Sequence, residues 1–526
     1  MSAFQQLLDH SQKVSHFEHL SAIVGWDQAA VMSSGGAEAR SNAMAELSVH
    51  IHSLMTQPQL GDLFAKAEEE NLSVEQSAVL REMKRDWQQA NLLPESLVQA
   101  QSLAGSKCEH AWRTQRGNND WQGFEKNWAE VVTLSREEAQ IRAEAKGVSA
   151  YDAMLDIYEP GTTTASLDQL FSDVKTWLPS MIDQAIEKQA SGQIQLPNGH
   201  YPAEKQKALG LDVMKLLQFD FEHGRLDESV HPFCGGVPSD VRITTRYDEK
   251  EFVQSLMGIV HETGHARYEQ GLPKAFAGTS AGQARSMGIH ESQSLFFEMQ
   301  LGRSPAFVEH LAQLATNYFQ GDEFKTDNLA NIYTRVEKGY IRVDADELTY
   351  PAHVILRYEI ERDLMNGVIK HTDVPELWNE KMKSYLGLST EGNYKNGCMQ
   401  DIHWTDPQRS HITSTNTMKN KEKRLNKHNY KDGCMQDIHW CDGSFGYFPS
   451  YTLGAMYAAQ FMAAMKQSVD VDGAILRGDL TPIFIWLSDN IWSKGSLLST
   501  DELVKQATGE TLNIQHYKDH LRSRYL

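Results

Sequence analysis

Proline is scarce in this chain, and its scarcity permits long helices. The 526 residues include 15 prolines, about 3% compared with the usual ~5%, and none lies between Pro94 and Pro160. A proline inside a helix removes a backbone hydrogen bond and clashes with the preceding turn. Long uninterrupted stretches without proline therefore predict a chain built mainly from helices.

The spacing of apolar residues supports this prediction in three segments. In residues 251–271, apolar side chains such as Leu256 and Ile259 recur at helical intervals, and residues 345–365 show the same pattern. Residues 453–465 form a run rich in alanine and methionine. Each of these segments is predicted to be a helix.

One segment alternates with the period of a strand. In residues 240–247, Val241, Ile243 and Thr245 alternate with polar side chains, and the turn-rich stretch CGGVPSD leads into them. One strand among many helices is typical of a mainly α protein with a small sheet, since alternating β and α units would show more strands.

A stretch of 14 residues occurs twice in the chain in nearly identical form. Residues 393–406 read NYKNGCMQDIHWTD, and residues 429–442 read NYKDGCMQDIHWCD. A single recurrence cannot build a stacked array of repeats. From the last two residues of the first copy to the start of the second, residues 405–428 contain six basic residues, two acidic residues and no aromatic residue. Such a segment buries too little apolar surface to offset its ordering entropy, so we predict that residues 405–440 form an inserted, mobile loop.

Charge and cysteine content limit the classes of partner and compartment. The formal net charge of −20 disfavours nucleic acid as a partner, because an acidic surface repels a phosphate backbone. The five cysteines form no CxxC pair, which fits the reducing cytoplasm. We find no signal-peptide pattern and no apolar run of ~18 residues. We therefore expect a soluble cytoplasmic protein that binds neither nucleic acid nor a membrane.

Residues 261–265 read HETGH, an HExxH motif within the predicted helix 251–271. At 3.6 residues per turn, His261 and His265 share one helical face about one turn apart. That spacing suits two positions on one tetrahedral zinc ion, and Glu262 lies alongside, placed to take a proton from water. The alternative is two surface histidines on an amphipathic helix. The motif follows a predicted strand, and this context favours a metal site beside a small sheet.

A zinc peptidase needs a third protein ligand and one open position. The extended HExxHxxGxxH pattern is absent, so the ligand should come from a second helix. Residues 287–300 offer His290, Glu291 and Glu298. The two glutamates are seven residues apart and share a helical face, so either could bind the metal while the other supports a ligand histidine. The spacing leaves all three candidates open.

Arg342 is a candidate for binding substrate. An arginine near a zinc site is a good bidentate clamp for a terminal carboxylate. Arg342 precedes Asp344 and Asp346, and an ion pair with either is an equally good interpretation.

Taken together, the motifs resemble those of the carboxypeptidase Taq family of zinc metallocarboxypeptidases. Six of them occur in the family's order along nearly the whole chain. They are HPF at residue 231, DxRxT at 240, HExxH at 261, HESQ at 290, IRxxADELTY at 341 and GxxQDxHW at 397 or 433. GYFPSYTLG at residue 446 also looks like the family.

The resemblance implies a role for particular residues. It implies that His261, His265 and Glu291 bind the metal, that Glu262 is the general base, and that Arg342 contacts the C-terminal carboxylate of the substrate. It also implies a large helical domain with a deep active-site cleft, zinc or cobalt as the metal, a homodimer, and removal of C-terminal residues of broad identity.

The chain departs from the family pattern because GxxQDxHW occurs twice. Only one of His403 and His439 can occupy a single site. We favour His439, because the second copy leads within a few residues into residues 443–451, which are predicted to be structured. His439 and Tyr447 are candidate neutral donors to the oxyanion, although Tyr447 could equally be a packing residue.

These motifs divide the chain into four regions. Residues 1–230 would form an N-terminal helical region, 231–404 the catalytic core, 405–440 the inserted segment, and 441–526 a C-terminal helical region that completes the same domain.

The predicted function is metal-dependent hydrolysis of the C-terminal peptide bond, with Glu262 moving the proton. Two alternatives stay open at this point. One is a zinc endopeptidase or oligopeptidase that uses the same ligands. The other is an inactive binding protein whose cleft is blocked by the insert.

Overall fold

A computed structural model describes residues 1–229, 232–399 and 439–526, except for the side chains of Ser34 and Asp442. His231, His403 and most of the predicted mobile loop of residues 405–440 lie outside the described residues. The last two residues of that predicted loop, His439 and Trp440, begin a short helix.

Helices dominate the described residues, and the prediction of a mainly α protein with a small sheet is confirmed. The α-helices are α1 (Ala3–Ala30), α2 (Ala37–Met55), α3 (Gln59–Glu68), α4 (Val74–Leu92), α5 (Glu95–Gly117), α6 (Trp121–Lys146), α7 (Ala150–Tyr158), α8 (Thr164–Gln189), α9 (Ala203–Leu216), α10 (Val253–Gly271), α11 (Met287–Leu295), α12 (Pro305–Tyr318), α13 (Thr326–Tyr333), α14 (Tyr350–Met365), α15 (Val374–Leu386), α16 (His439–Asp442), α17 (Pro449–Met465), α18 (Val471–Leu476), α19 (Thr481–Asn490), α20 (Thr500–Thr508) and α21 (Ile514–Tyr525). None of these helices is both long enough and apolar enough to cross a membrane.

The chain forms two compact units. The first unit contains Met1–Ile157, Gly339–Asp344 and Leu356–Tyr447, and the second contains Tyr158–Lys338, Ala345–Ile355 and Phe448–Leu526. Each unit combines segments that are distant in sequence. The four regions predicted from the motifs remain a prediction about order along the chain.

In the first unit, the stretch without proline forms the long helices α5 and α6, which pack against each other. The side chain of Asp120 accepts a hydrogen bond from the Gly123 amide and caps α6 at its start. Gly147 ends the same helix in a left-handed conformation, with φ of 69°, that favours glycine. These local signals delimit a helix of 26 residues.

In the second unit, three strands form a small sheet in the order β1-β3-β2. The strands are β1 (Gly224–Glu228), β2 (Cys234–Val237) and β3 (Asp240–Thr245), with β1 parallel and β2 antiparallel to β3. The strand predicted at residues 240–247 is β3. The turn-rich stretch CGGVPSD contains β2, which the sequence analysis did not predict. Its two glycines have a low preference for strands, and pairing with β3 stabilises it.

The sheet packs against the helix that carries the HExxH motif. Leu226, Val241 and Ile243 contact Ile259 and Ala266 of α10 in one buried apolar cluster. Burial of this kind contributes roughly 1.5–3 kcal/mol for each large aliphatic side chain. The cluster fixes one face of α10 on the sheet and leaves another face for the two histidines.

The other predicted helices are present with shifted ends. Residues 251–271 contain α10, residues 345–365 contain α14, and residues 453–465 lie within α17. The helix predicted at residues 287–300 is not a single α-helix. It consists of α11 followed by a π-helix, Phe296–Gly302.

Candidate metal centre

The helix α10 presents both histidines of the HExxH motif to one side. The rings of His261 and His265 lie 5.0 Å apart between centroids and are nearly perpendicular, at 81°. Glu262 is 8% exposed. The side chains of His261 and His265 are 22% and 13% exposed, so both are largely buried, and the interpretation of two surface histidines does not describe them.

The neighbouring helix α11 brings a carboxylate to the two imidazoles. One ligand atom from each of His261, His265 and Glu291 lies within 4.8 Å of the other two. Oε2 of Glu291 is 3.5 Å from Nε2 of His265. Among the three candidates left open by the sequence spacing, the geometry favours Glu291 as the third ligand.

Glu298 takes the supporting position behind His261. Its Oε2 lies 2.8 Å from Nδ1 of His261, and its Oε1 accepts a hydrogen bond of 2.5 Å from Arg303. With Nδ1–H donating to the carboxylate, Nε2 of His261 is left as a lone-pair donor for a metal. Glu298 lies in the π-helix, whose wider turn changes its angular position relative to Glu291.

His290 packs beside the centre but is not one of the converging ligands. Its ring stacks on His265 at 4.5 Å between centroids, and its Nε2 lies 2.9 Å from Oε1 of Glu269. The histidine of HESQ therefore supports the ring of His265.

Charge and burial shift the pKa values of the candidate ligands in opposite directions. Burial alone would lower the pKa of His261, but the hydrogen bond to Glu298 and nearby carboxylates raise it to about 10. Burial and the charge of His290 lower the pKa of His265 to about 4. Burial would raise the pKa of Glu291, but the adjacent histidines lower it to about 2. Such shifts in one buried cluster are typical of a functional site.

The pKa of Glu262 is raised, whereas that of Glu291 is lowered. Burial and the negative charge of Glu291 outweigh the charge of His261 and raise the pKa of Glu262 to about 7. A carboxylate with a pKa near neutrality can accept a proton and give it back at neutral pH. This property suits a general base and acid.

The donor set fits a divalent metal ion. Two imidazole nitrogens and one carboxylate oxygen are the ligands of catalytic zinc sites that leave one position open. The carboxylate supporting His261 is the outer partner that metal-bound histidines usually have. The residues present therefore match the group that the HExxH motif predicts.

Three other predicted site residues belong to the first unit, whereas the ligand cluster belongs to the second. Arg342 lies in a 3₁₀ turn, Arg342–Asp344, and is 1% exposed. His439 is 2% exposed, and its ring lies 4.9 Å from that of Tyr447 between centroids. The roles predicted for these residues stay predictions.

The described end of the second repeat copy is anchored in the core of the first unit. Trp440 donates from Nε1 to Glu361 at 2.7 Å, and its carbonyl accepts from Nε1 of Trp128 at 2.8 Å. Its ring stacks on that of Trp128 at 5.5 Å between centroids. These contacts hold the residue that directly follows His439.

The described start of the first copy is also seated in that unit. The carbonyl of Met399 accepts from Nε1 of Trp112 at 2.7 Å, and that of Lys395 accepts from Arg116 at 2.9 Å.

The helical fold and the ligand cluster define a metal-dependent peptidase. A family model described as carboxypeptidase Taq (M32) metallopeptidase matches residues 6–408 and 419–525. The chain belongs to this family and, as the sequence predicts, is a metallocarboxypeptidase. The family match omits residues 409–418, within the segment between the repeat copies.

Individual relatives agree with the family match over the full chain. Carboxypeptidase 1 of Bacillus subtilis is 32% identical over 529 residues, which cover 99% of this chain and 97% of that protein. Thermostable carboxypeptidase 1 of Thermus thermophilus is 33% identical over 538 residues, with 100% and 98% covered. The structure of Trypanosoma cruzi metallocarboxypeptidase 1 superposes with a TM-score of 0.91 at 44% identity, covering 99% of each chain.

Sequence reasoning missed several polar residues around the centre. Arg303, Glu269 and Glu159 each contact a ligand helix or a group that supports a ligand. None lies in a motif with a recognisable spacing. The role of each residue is visible only from its contact with a residue on another element. A single sequence does not show such contacts.

Proposed function

We propose that this enzyme removes single residues from the C-termini of peptides with broad specificity, using zinc held by His261, His265 and Glu291. The observation that carries the proposal is the convergence of these three ligands beside the buried carboxylate of Glu262. Relatives named as carboxypeptidases, matched from end to end, support the choice of substrate class.

Glu262 handles the proton in the proposed mechanism. His261, His265 and Glu291 would hold a divalent ion, which would supply the Lewis acidity that acidifies water and polarises the scissile carbonyl. Glu262 accepts a proton from the attacking water and returns it to the amine of the leaving residue. Burial raises the pKa of Glu262 in the metal-free protein, which favours the protonated form that the carboxyl takes after accepting this proton. Its burial keeps bulk water from competing for that proton.

Arg342 is proposed to select the chain end. A guanidinium binds a carboxylate through two parallel hydrogen bonds, and every peptide C-terminus presents a carboxylate. Such a clamp distinguishes exopeptidase from endopeptidase action without restricting the side chain of the substrate. His439 is the proposed neutral donor to the developing oxyanion, with Tyr447 the weaker candidate. His403 is the alternative to His439.

Zinc is proposed over cobalt because two imidazoles and one carboxylate form a common catalytic zinc set. We also propose that the protein is a homodimer in the cytoplasm, as the family resemblance and the cysteine content predict. Metal analysis of the purified protein tests the first proposal, and light scattering with cell fractionation tests the others.

The decisive experiment compares a blocked dipeptide that has a free C-terminal carboxylate with its C-terminal amide. We expect cleavage of the first and rejection of the second. Glu262→Gln should slow cleavage by about 10²–10⁴-fold, the usual contribution of general acid–base catalysis, and should retain the metal, since Glu262 is not a proposed ligand. Glu309→Gln, an exposed position on α12, is the matched control.

Three other results would contradict the proposal. Equal cleavage of the amide would indicate an endopeptidase or oligopeptidase. A metal-loaded protein that cleaves neither compound would indicate a binding protein. Full activity of Glu262→Gln would remove the assignment of the base.

A further inference from the structure

The helix α11, which carries Glu291, lies unusually close to two neighbouring helices. On one side it faces Gly264, the fourth residue of the HExxH motif. A Cβ atom added at Gly264 would lie 2.6 Å from the carbonyl oxygen of Gln293 and 2.7 Å from Cα of Ser294. The backbone of α11 therefore rests directly on the helix that carries both histidines.

On its other side, α11 faces Gly454 of α17. A Cβ atom added at Gly454 would lie 2.8 Å from both Cβ and Cγ of Glu291. Gly454 thus contacts the side chain of the proposed ligand itself. Carbon atoms normally pack about 3.5–4.0 Å apart, so a methyl group here must displace Glu291 by about 0.7 Å or more.

A buried carboxylate holds the start of α11. Glu159 is 0% exposed and accepts a short hydrogen bond from the amide of Gly288, in the first turn of the helix. It also accepts a hydrogen bond of 3.0 Å from Ser450 Oγ. Ser450 and Gly454 are one turn apart on the same face of α17. One face of α17 therefore contacts both Glu159, which binds the start of α11, and the side chain of Glu291.

We propose that Gly454 and Glu159 are positioning residues of the metal centre, which set the place of Glu291 relative to the two histidines. The inference rests on the proposed role of Glu291 as a ligand. Ligand distances in metal sites hold to within about 0.2 Å, so a displacement of about 0.7 Å is large for the centre. The same displacement is small for the fold, because helices can shift slightly as units.

The test compares two glycine-to-alanine substitutions. Gly454→Ala adds a methyl group against Glu291, whereas Gly258→Ala adds one on α10 where nothing lies within 4 Å. For each purified protein, the dissociation constant for Zn²⁺ is measured by chelator competition, together with the visible absorption spectrum of the Co²⁺ form and the melting temperature of the metal-free form. Glu291→Gln is measured alongside.

Gly454→Ala should bind Zn²⁺ about 10–100-fold more weakly than the wild type, as expected for a change just outside the ligands, and should show an altered Co²⁺ spectrum. Gly258→Ala should match the wild type in both. A Gly454→Ala protein with a lower melting temperature but unchanged zinc affinity and Co²⁺ spectrum would overturn the inference. If Glu291→Gln keeps wild-type zinc affinity, the ligand assignment itself fails, which is a distinguishable result.

A second pair of variants covers the case in which Gly454→Ala does not fold. Glu159→Ala removes the acceptor for the Gly288 amide, and Glu159→Gln retains one. We expect weaker Zn²⁺ binding for Glu159→Ala and restoration of affinity in Glu159→Gln. Equal zinc affinity for Glu159→Ala and the wild type would contradict the positioning role.

Discussion

The stability of the metal-free protein should depend on pH through Glu159. This carboxyl is fully buried, and its pKa is raised from 4.5 to about 7, chiefly by burial. Hydrogen bonds from Gly288 and Ser450 oppose the shift but do not cancel it. The folded protein therefore holds a proton on Glu159 more tightly than the unfolded chain does.

The sign of the effect follows from proton linkage. The contribution is fully favourable below pH ~4.5, and stability is lost as the pH rises towards the folded-state pKa. A shift of about 2.5 pKa units at 1.36 kcal/mol each corresponds to about 3 kcal/mol. Glu159→Gln cannot ionise, so it should gain about that much stability relative to the wild type between pH 4.5 and pH 8.

The assay is urea unfolding of both proteins in the presence of a chelator at several pH values between 4.5 and 8. Taking the difference between the two proteins removes the titration of all other groups. Glu187→Gln, at an exposed position on α8, is the control and should stay within about 0.5 kcal/mol of the wild type throughout. A difference between Glu159→Gln and the wild type that is constant over this range would refute the reasoning.

Three further predictions concern other residues. Arg342→Ala should raise KM for short peptides at least tenfold while leaving zinc content unchanged, and an unchanged KM would remove the clamp assignment. His439→Ala should lower kcat about 10²–10³-fold, the effect of losing one oxyanion donor, whereas His403→Ala should not; wild-type kcat in His439→Ala would reverse the choice between the two copies. The side chain of Glu347 is 0% exposed and pairs with His520 and Arg524 at 2.6 and 2.9 Å, so Glu347→Gln should cost about 3–5 kcal/mol in urea unfolding. The charges of Arg524 and His520 outweigh burial and hold the pKa of Glu347 well below its usual range, so the stabilisation by this ion pair should be lost as the pH falls below 4.5. A Glu347→Gln protein as stable as the wild type at neutral pH would contradict this prediction.

Local patterns predicted the elements on which the site is built. Apolar spacing identified α10 and α14, and alternation identified β3, because both periodicities are properties of the chain itself. The strands β1 and β2 were missed. They are short, and β2 contains two glycines, so pairing with β3 rather than local preference makes them strands.

The helix that carries Glu291 and Glu298 was also predicted only in part. Spacing alone places Glu291 and Glu298 on one face of a continuous helix. In the structure the helix changes to a π-helix at Phe296, and Glu298 within it lies against Nδ1 of His261, while Glu291 lies with His261 and His265 in the candidate ligand cluster. No residue pattern in 287–300 signals that change.

The identity of the chemistry was therefore readable in the linear chain, because HExxH places two imidazoles and a carboxylate by helical geometry alone. The geometry of the centre was not. The proposed third ligand, the carboxylate beside His261 and the glycines against which α11 packs all depend on contacts between different elements. Their positions depend on helix packing, and packing is a property of the folded chain that no short stretch of residues encodes.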